Sequence, residues 1–280
     1  NRSYSDDAIV QAGKSCCEME EQRMKKNRSQ ARDIMLSTLS ILGLIVVWFL
    51  VSNSKPDFFP TPMATIERFI KLIEKPVMKI SILGHIFASL KRVMLALIAA
   101  IILGVGIGLV MGWNKKVRAA INPILMALRP IPPIAWIPLI ILLFGIGEFP
   151  KVLLVFIGAF FPIVMNTMSG VSLVDDMYLK VGKIYKANTW QMLRHVVFPA
   201  AMPAILAGIK IAISSGWMVV VAAEMLSSKS GLGFLINRGR DSYDVALIMV
   251  AMILIGVVGA LLSAVFTLIE RKLCGWMSKE

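Results

Sequence analysis

Six stretches of this chain are long enough and apolar enough to cross a bilayer, and that property rules out most other folds. A spanning helix takes about 20 mostly apolar residues. The runs at 34–51, 93–112, 121–145, 152–171, 203–226 and 245–269 come close to or exceed that length. In hydrocarbon each backbone amide must be satisfied internally, so such runs fold as helices. The expectation is an all-α polytopic membrane protein with about six transmembrane helices. A mean hydropathy of +0.75 over 280 residues agrees, because a soluble domain of this size needs more polar surface.

The net charge of +13 then has to be explained within a membrane protein. Basic chains often bind nucleic acid, but here Lys and Arg cluster in short segments beside apolar runs. That pattern suits anionic lipid and topology, so the expected surface partner is membrane lipid and no nucleic acid. With the N-terminus inside, segments 1–33, 113–119, 171–202 and 271–280 hold 17 basic residues, against 8 in 52–84, 146–150 and 227–244. The positive-inside rule therefore assigns both termini to the cytosol, with 1–33 as a basic cytosolic N-terminal segment and 34–280 as one membrane domain.

Met24 opens MKKNRSQARDIMLSTLS, a candidate native start. The apolar run after it has no A-x-A cleavage site, which predicts an uncleaved first helix. Cys16, Cys17 and Cys274 all fall on the side assigned to the cytosol and read as free thiols.

Motifs for catalysis are thin. Residues 8–15, AIVQAGKS, satisfy a loose phosphate-loop pattern, but no strand precedes them and no βα unit follows. The two histidines, His85 and His195, lie outside the six runs and read as surface loop residues. No paired-Cys or H-E-x-x-H spacing suggests a metal, and none is expected. An intramembrane hydrolase is disfavoured accordingly.

Between runs one and two, TPMATIERFIKLIEK places Ile66, Phe69, Ile70 and Ile73 at helical spacing, which predicts a short amphipathic helix on the outer membrane surface. In the second run Ala96, Ala100, Gly104, Gly108 and Gly112 recur every four residues. Such a stripe lets another helix approach closely, either within the chain or, as the alternative, in a homodimer.

The third run, NPILMALRPIPPIAWIPLIILLFGIG, holds Pro130, Pro132, Pro133 and Pro138. Each removes an amide and clashes with the preceding turn, so a discontinuous helix is expected, of the kind that marks a substrate pathway. Arg129, just before the break, is either a pathway cation or a structural pair or interface snorkel. In the fifth run Lys210, Ser214, Trp217, Val221 and Glu224 share one helix face. Pore lining is the favoured reading of that face, polar helix packing the other, with Glu224 alternatively an ion-pair partner near the outer end. Arg129, Pro130, Pro133, Trp136, Lys210, Ser214, Trp217 and Glu224 are thus the candidate translocation pathway.

Three stretches, LRPIPPIAWIPLIILLFGIGE (128–148), VVFPAAMPAILAGIKIAISSGWMVVVAAEML (196–226) and GLGFLI (231–236), resemble the permease subunits of ABC importers for nitrate, aliphatic sulfonates, taurine and bicarbonate. The resemblance covers about 60–276. It implies a type I ABC importer transmembrane domain in a bacterial cell membrane, working as a homodimer with two ATP-binding cassette ATPase subunits and an external solute-binding protein. ATP-Mg would be bound by the ATPase, so this chain carries no cofactor and is not itself an enzyme. Permeases for thiamine or riboflavin precursors are also similar, and a stand-alone secondary transporter is the alternative of a different class.

In that family the cytosolic loop before the fifth span carries E-A-A-x3-G-x9-I-x-L-P. Laid on this chain, the first three positions are Lys180, Val181 and Gly182, the glycine position is Lys186, and the end is Val196, Val197, Phe198 and Pro199. The spacing matches while the E, both A and the G are replaced. The resemblance implies that the loop at about 172–202 holds a coupling helix that docks in a groove of the ATPase. Val181, Ile184, Tyr185 and Asn188 recur at helical spacing, with Trp190, Leu193 and Val197 after a break. Lys180, Lys183, Lys186 and Arg194 can meet acidic partner surface, and Pro199 with Pro203 is expected to end the element. Gly182 completes this set. An amphipathic helix on anionic lipid fits the same residues.

Overall fold

The computed structural model describes residues 35–36, 38–54 and 59–273. The basic segment 1–33, the AIVQAGKS stretch and all three cysteines lie outside these residues. The chain divides into two compact units, Asn1–Met63 and Ala64–Glu280.

In the first unit an apolar helix α1 runs over Thr38–Ser54. Trp48 Nε1 donates to Pro60 O at 3.1 Å and Ser52 Oγ to Phe59 O at 3.2 Å, which folds the following chain back on the helix end. Over its described length the first expected span is therefore shorter than the about 20 residues that a bilayer asks for.

In the second unit the described residues form helices throughout: α2 (Pro62–Glu74, whose first turn starts at the unit boundary), α3 (Ile82–Trp113), α4 (Lys115–Leu128), α5 (Ile137–Phe144), α6 (Glu148–Ser172), α7 (Asp176–Ile184), α8 (Thr189–Met192), α9 (Phe198–Ser227), α10 (Leu232–Asp241) and α11 (Val245–Leu273). Four apolar helices are long enough to cross a membrane: Ile82–Trp113, Glu148–Ser172, Thr189–Leu226 and Val245–Leu273. The third expected run becomes α4 and α5, bent by 85° about the proline-rich break. Among the described residues this gives four spans, or five with the bent pair as one, and the shorter apolar α1 stands where the first run was expected.

α3, α6 and α9 form the densest part of the core, with α10 packed between α9 and α11. The four-residue ladder of α3 makes this possible. A Cβ on Gly104 would sit 2.9 Å from Ile163 Cγ2, and one on Gly108 would sit 2.6 Å from Thr167 Cβ. Gly112 faces Val171 in the same way. Small residues here let the α3 and α6 backbones approach, so the stripe serves packing within the chain. Outside this core, Leu83, Leu142 and Met218 are exposed, the inside-out polarity of a helix bundle that meets lipid.

The amphipathic helix expected after run one is α2. Leu72 is buried in the core, and Ile66, Ile70 and Ile73 stay exposed. Arg68 Nε pairs with Asp244 Oδ2 at 2.6 Å, tying α2 to the α10–α11 turn. Asp244 also caps α11, accepting the Leu247 amide at 2.9 Å.

α3 starts at Ile82, well before the expected position 93, and this corrects the reading of His85 as a surface loop residue. His85 is fully buried in α3. Charged and polar residues at its first turns lower the hydropathy of the segment, yet they point inward and find partners there.

Candidate functional site

The expected coupling segment folds as α7, a turn, α8, one π turn over Leu193–Val197 and then α9. Asp175 caps α7 by accepting the Met177 amide at 2.8 Å. α7 ends in a paired-bond C-cap: the Ala187 amide reaches Gly182 O at 3.1 Å and the Lys186 amide reaches Lys183 O at 3.0 Å. Such a cap needs a left-handed residue, and Lys186 has φ 53°. A glycine would take this conformation without the Cβ strain that Lys186 carries. Asn188 then starts α8 with a reciprocal capping box to Gln191.

Two expectations change here. Asn188 does not continue the α7 face, because the chain turns before it. Pro199 and Pro203 do not end the element, since helix runs unbroken from Thr189 to Leu226. The π turn absorbs Pro199: the Phe198 amide bonds back five residues to Leu193 O, so the missing proline amide falls where the ladder is already widened.

Val181, Tyr185, Trp190, Lys180, Lys183, Lys186 and Arg194 are all exposed. Gly182 is buried, where a Cβ would lie 2.6 Å from Met192 Sδ, so it lets α7 rest on α8. Between α7 and the start of α9 is a cavity of about 820 Å³ walled by Val181, Tyr185, His195, Val196 and Pro199. The segment thus presents apolar and basic side chains outward on a fully capped frame.

The break in the third run is built by prolines. Arg129 closes α4, the chain crosses Pro130 and Pro132, and a single 3-10 turn spans Pro133–Trp136. Arg129 and Pro130 are exposed, Pro133 and Trp136 half-buried. Pro133 rests against α6, where a Cβ on Gly158 would lie 3.4 Å from its ring. Trp136 Nε1 is buried with no hydrogen-bond partner among the described residues.

The residues expected on one face of α9 meet two different helices. Lys210 Nζ pairs with Glu270 at 3.0 Å, and the exposed Ser214 bonds back to Lys210 O. Trp217 is buried and donates to Ile255 O of α11 at 3.2 Å. Glu224, fully buried, turns toward α3. Among the named pathway residues the structure therefore brings together Arg129, Pro130, Pro133 and Trp136, and it separates them from Trp217 and Glu224, whose partners lie in α11 and α3.

Glu224 belongs to a network that sequence reasoning missed. Its carboxylate accepts from Arg92 Nη1 at 2.6 Å, Ser89 Oγ at 2.9 Å and the Gly233 amide at 3.0 Å. His85 Nδ1 accepts the Gly231 amide and Ser89 Oγ the Leu232 amide, at 3.1 and 2.9 Å. The first amides of α10, which have no partner within their own helix, are thus each taken by a side chain from α3 or α9. Arg92 extends the network to Ser230 and Glu148, and Lys151 joins Glu148 at 2.9 Å. His85, Ser89 and Arg92 share one helix face at spacings of four and three, the signal that could have found them.

The same network accounts for GLGFLI. Gly231 has φ 115°, and a Cβ there or on Gly233 would collide with Glu224 or the Val221 carbonyl. No group of three or more His, Cys, Asp or Glu among the described residues could hold a metal.

Comparison with known proteins decides the family. Residues 100–277 match the binding-protein-dependent transport system inner membrane component family. The chain belongs to this family. The permease is 31% identical to the taurine transport system permease protein TauC of Escherichia coli (strain K12), over 92% of this chain and 95% of the relative. It is 34% identical to the nitrate import permease protein NrtB of Synechocystis sp., over 85% and 88%. In fold it is similar to a chain of the MetNI methionine ABC transporter solved in inward facing conformations, with a TM-score of 0.62 at 17% identity, covering 71% of the permease and 98% of that chain. It is thus a multi-pass membrane permease of the ABC importer class.

Proposed function

We propose that the permease forms the translocation pathway of an ATP-driven importer for a small oxyanion: nitrate, an aliphatic sulfonate, taurine or bicarbonate. The observation that carries the solute class is that full-length relatives at about one-third identity are named for taurine and nitrate. The broken helix agrees with it. Arg129 lies on that break with no ion pair among the described residues, which suits an anionic solute.

ATP is hydrolysed in a separate cassette subunit that docks on α7 and α8. The capped turn, exposed Val181, Tyr185 and Trp190, and the basic side chains around them support this reading. A homodimer of the permease encloses the pathway, both termini lie in the cytosol, and an external binding protein delivers the solute. Nucleotide binding closes the ATPases, moves both α7–α8 segments and rocks the spans between inward- and outward-open states.

The test is uptake of labelled taurine and nitrate into vesicles that hold the permease, its ATPase and its binding protein. Uptake is expected only with ATP inside and all three proteins present. Transport without ATP or ATPase would refute the importer reading in favour of a secondary transporter.

A further inference from the structure

Beside the broken helix, α6 and α9 enclose a cavity of about 270 Å³ whose polar wall is Arg129, Asn166 and Ser215, with Pro133, Phe161 and Met165 among its apolar neighbours. No Asp or Glu lines it, so its one formal charge is positive.

The wall is arranged to present donors. Pro162 inside α6 has no amide to give to the Gly158 carbonyl one turn back. Ser215 Oγ, whose one hydrogen is shared with Ala212 O at 3.2 Å, donates to that carbonyl at 3.0 Å and so engages an acceptor that would repel an anion. Asn166 Nδ2 donates one N–H to Pro162 O at 2.8 Å and keeps a second. The Arg129 guanidinium has no ion pair among the described residues. A planar fork of N–H groups matches two oxygens of one planar or tetrahedral head, and a lone cation in an apolar wall suits a single negative charge.

We infer that this cavity is a binding site for the head of a monovalent oxyanion, with Arg129 as its anchoring cation and Asn166 as its second donor. The inference rests on the functional reading above and adds where in the chain the solute is held. Ser215 is a positioning residue that masks the α6 carbonyl.

With Cys16, Cys17 and Cys274 replaced by serine, Met165→Cys places a thiol in the cavity wall. A sulfonate-bearing methanethiosulfonate is applied to membranes containing the permease with its ATPase and binding protein. Saturating nitrate or methanesulfonate is expected to slow labelling about tenfold with Arg129 present and not with Arg129→Gln. The near-isosteric Asn166→Asp places a carboxylate in the wall of the same cavity and is also expected to remove protection; it decides the matter if Arg129→Gln does not accumulate. Protection that persists in the variants overturns the site. Absence of protection in the Met165→Cys permease, beside normal oxyanion uptake, also overturns it but leaves the importer reading standing. Absence of any oxyanion uptake by the unsubstituted system refutes the importer's solute class instead.

Discussion

Arg92 Nη1 and Glu224 Oε1 lie 2.6 Å apart, buried, though 132 positions separate them in the chain. This pair joins α3 to the end of α9, and the turn into α10 is wrapped around it. A buried ion pair contributes little net stability over an apolar substitute, but removing one partner strands a charge. Arg92→Ala and Glu224→Ala are each expected to cost about 3–5 kcal/mol. Thermal unfolding in detergent should show the double variant Arg92→Met/Glu224→Leu to be more stable than Arg92→Met or Glu224→Leu alone; strictly additive losses across these three would refute the coupling.

Gly231 holds a positive φ against the Glu224 carboxylate. Gly231→Ala brings left-handed strain and a collision together, and a loss of roughly 2–4 kcal/mol is expected. The check is the same unfolding assay, in which a midpoint unchanged from the parent would contradict the geometry.

Lys186 sits at φ 53° in the cap of α7. Lys186→Gly relieves left-handed strain of about 1 kcal/mol, less a few tenths for the freer unfolded chain. Slower amide exchange at Ala187 in the glycine variant would bear this out, and faster exchange would count against it.

Gly108 lets α3 and α6 touch at Thr167 and the Val164 carbonyl. Gly108→Leu is expected to overpack this contact at a cost of about 1–3 kcal/mol or more. The readout is the amount of folded permease recovered from membranes, compared with Gly106→Leu, whose added Cβ would meet nothing within 4 Å.

Lys183 and Lys186 are exposed at the end of α7. If they meet acidic ATPase surface, Lys183→Glu/Lys186→Glu should lower ATP-driven uptake about tenfold by like-charge repulsion, with the variant still reaching the membrane. Uptake equal to the parent would take these two lysines out of the docking surface.

Apolar run length and the proline cluster were readable because each acts locally. A run of about 20 apolar residues is by itself long enough to span a bilayer, and Pro130, Pro132 and Pro133 crowd three missing amides into a single turn, more than one helix can absorb. The α2 stripe and the glycine ladder were readable for the same reason, as periodicity along one helix. His85, Ser89 and Arg92 were not, because hydropathy treats a charge as a sign of exposure, and only the distant Glu224 and the α10 amides make burial tolerable.

Sequence alone determined that the chain is a helical membrane protein, where its third run breaks, and which family its proline-rich and glycine-rich stretches resemble. Tertiary structure decided which polar residues face one another. It divided Lys210, Trp217 and Glu224, which share a face on paper, between two helices: Lys210 and Trp217 meet α11, and Glu224 meets α3. It also gathered Arg129, Asn166 and Ser215 from three segments around one cavity. Periodicity reports which side of a helix a residue lies on. What stands across from that side depends on how the chain returns, and in a bundle where most of the outer surface is apolar, that meeting of helices is where charge can be held.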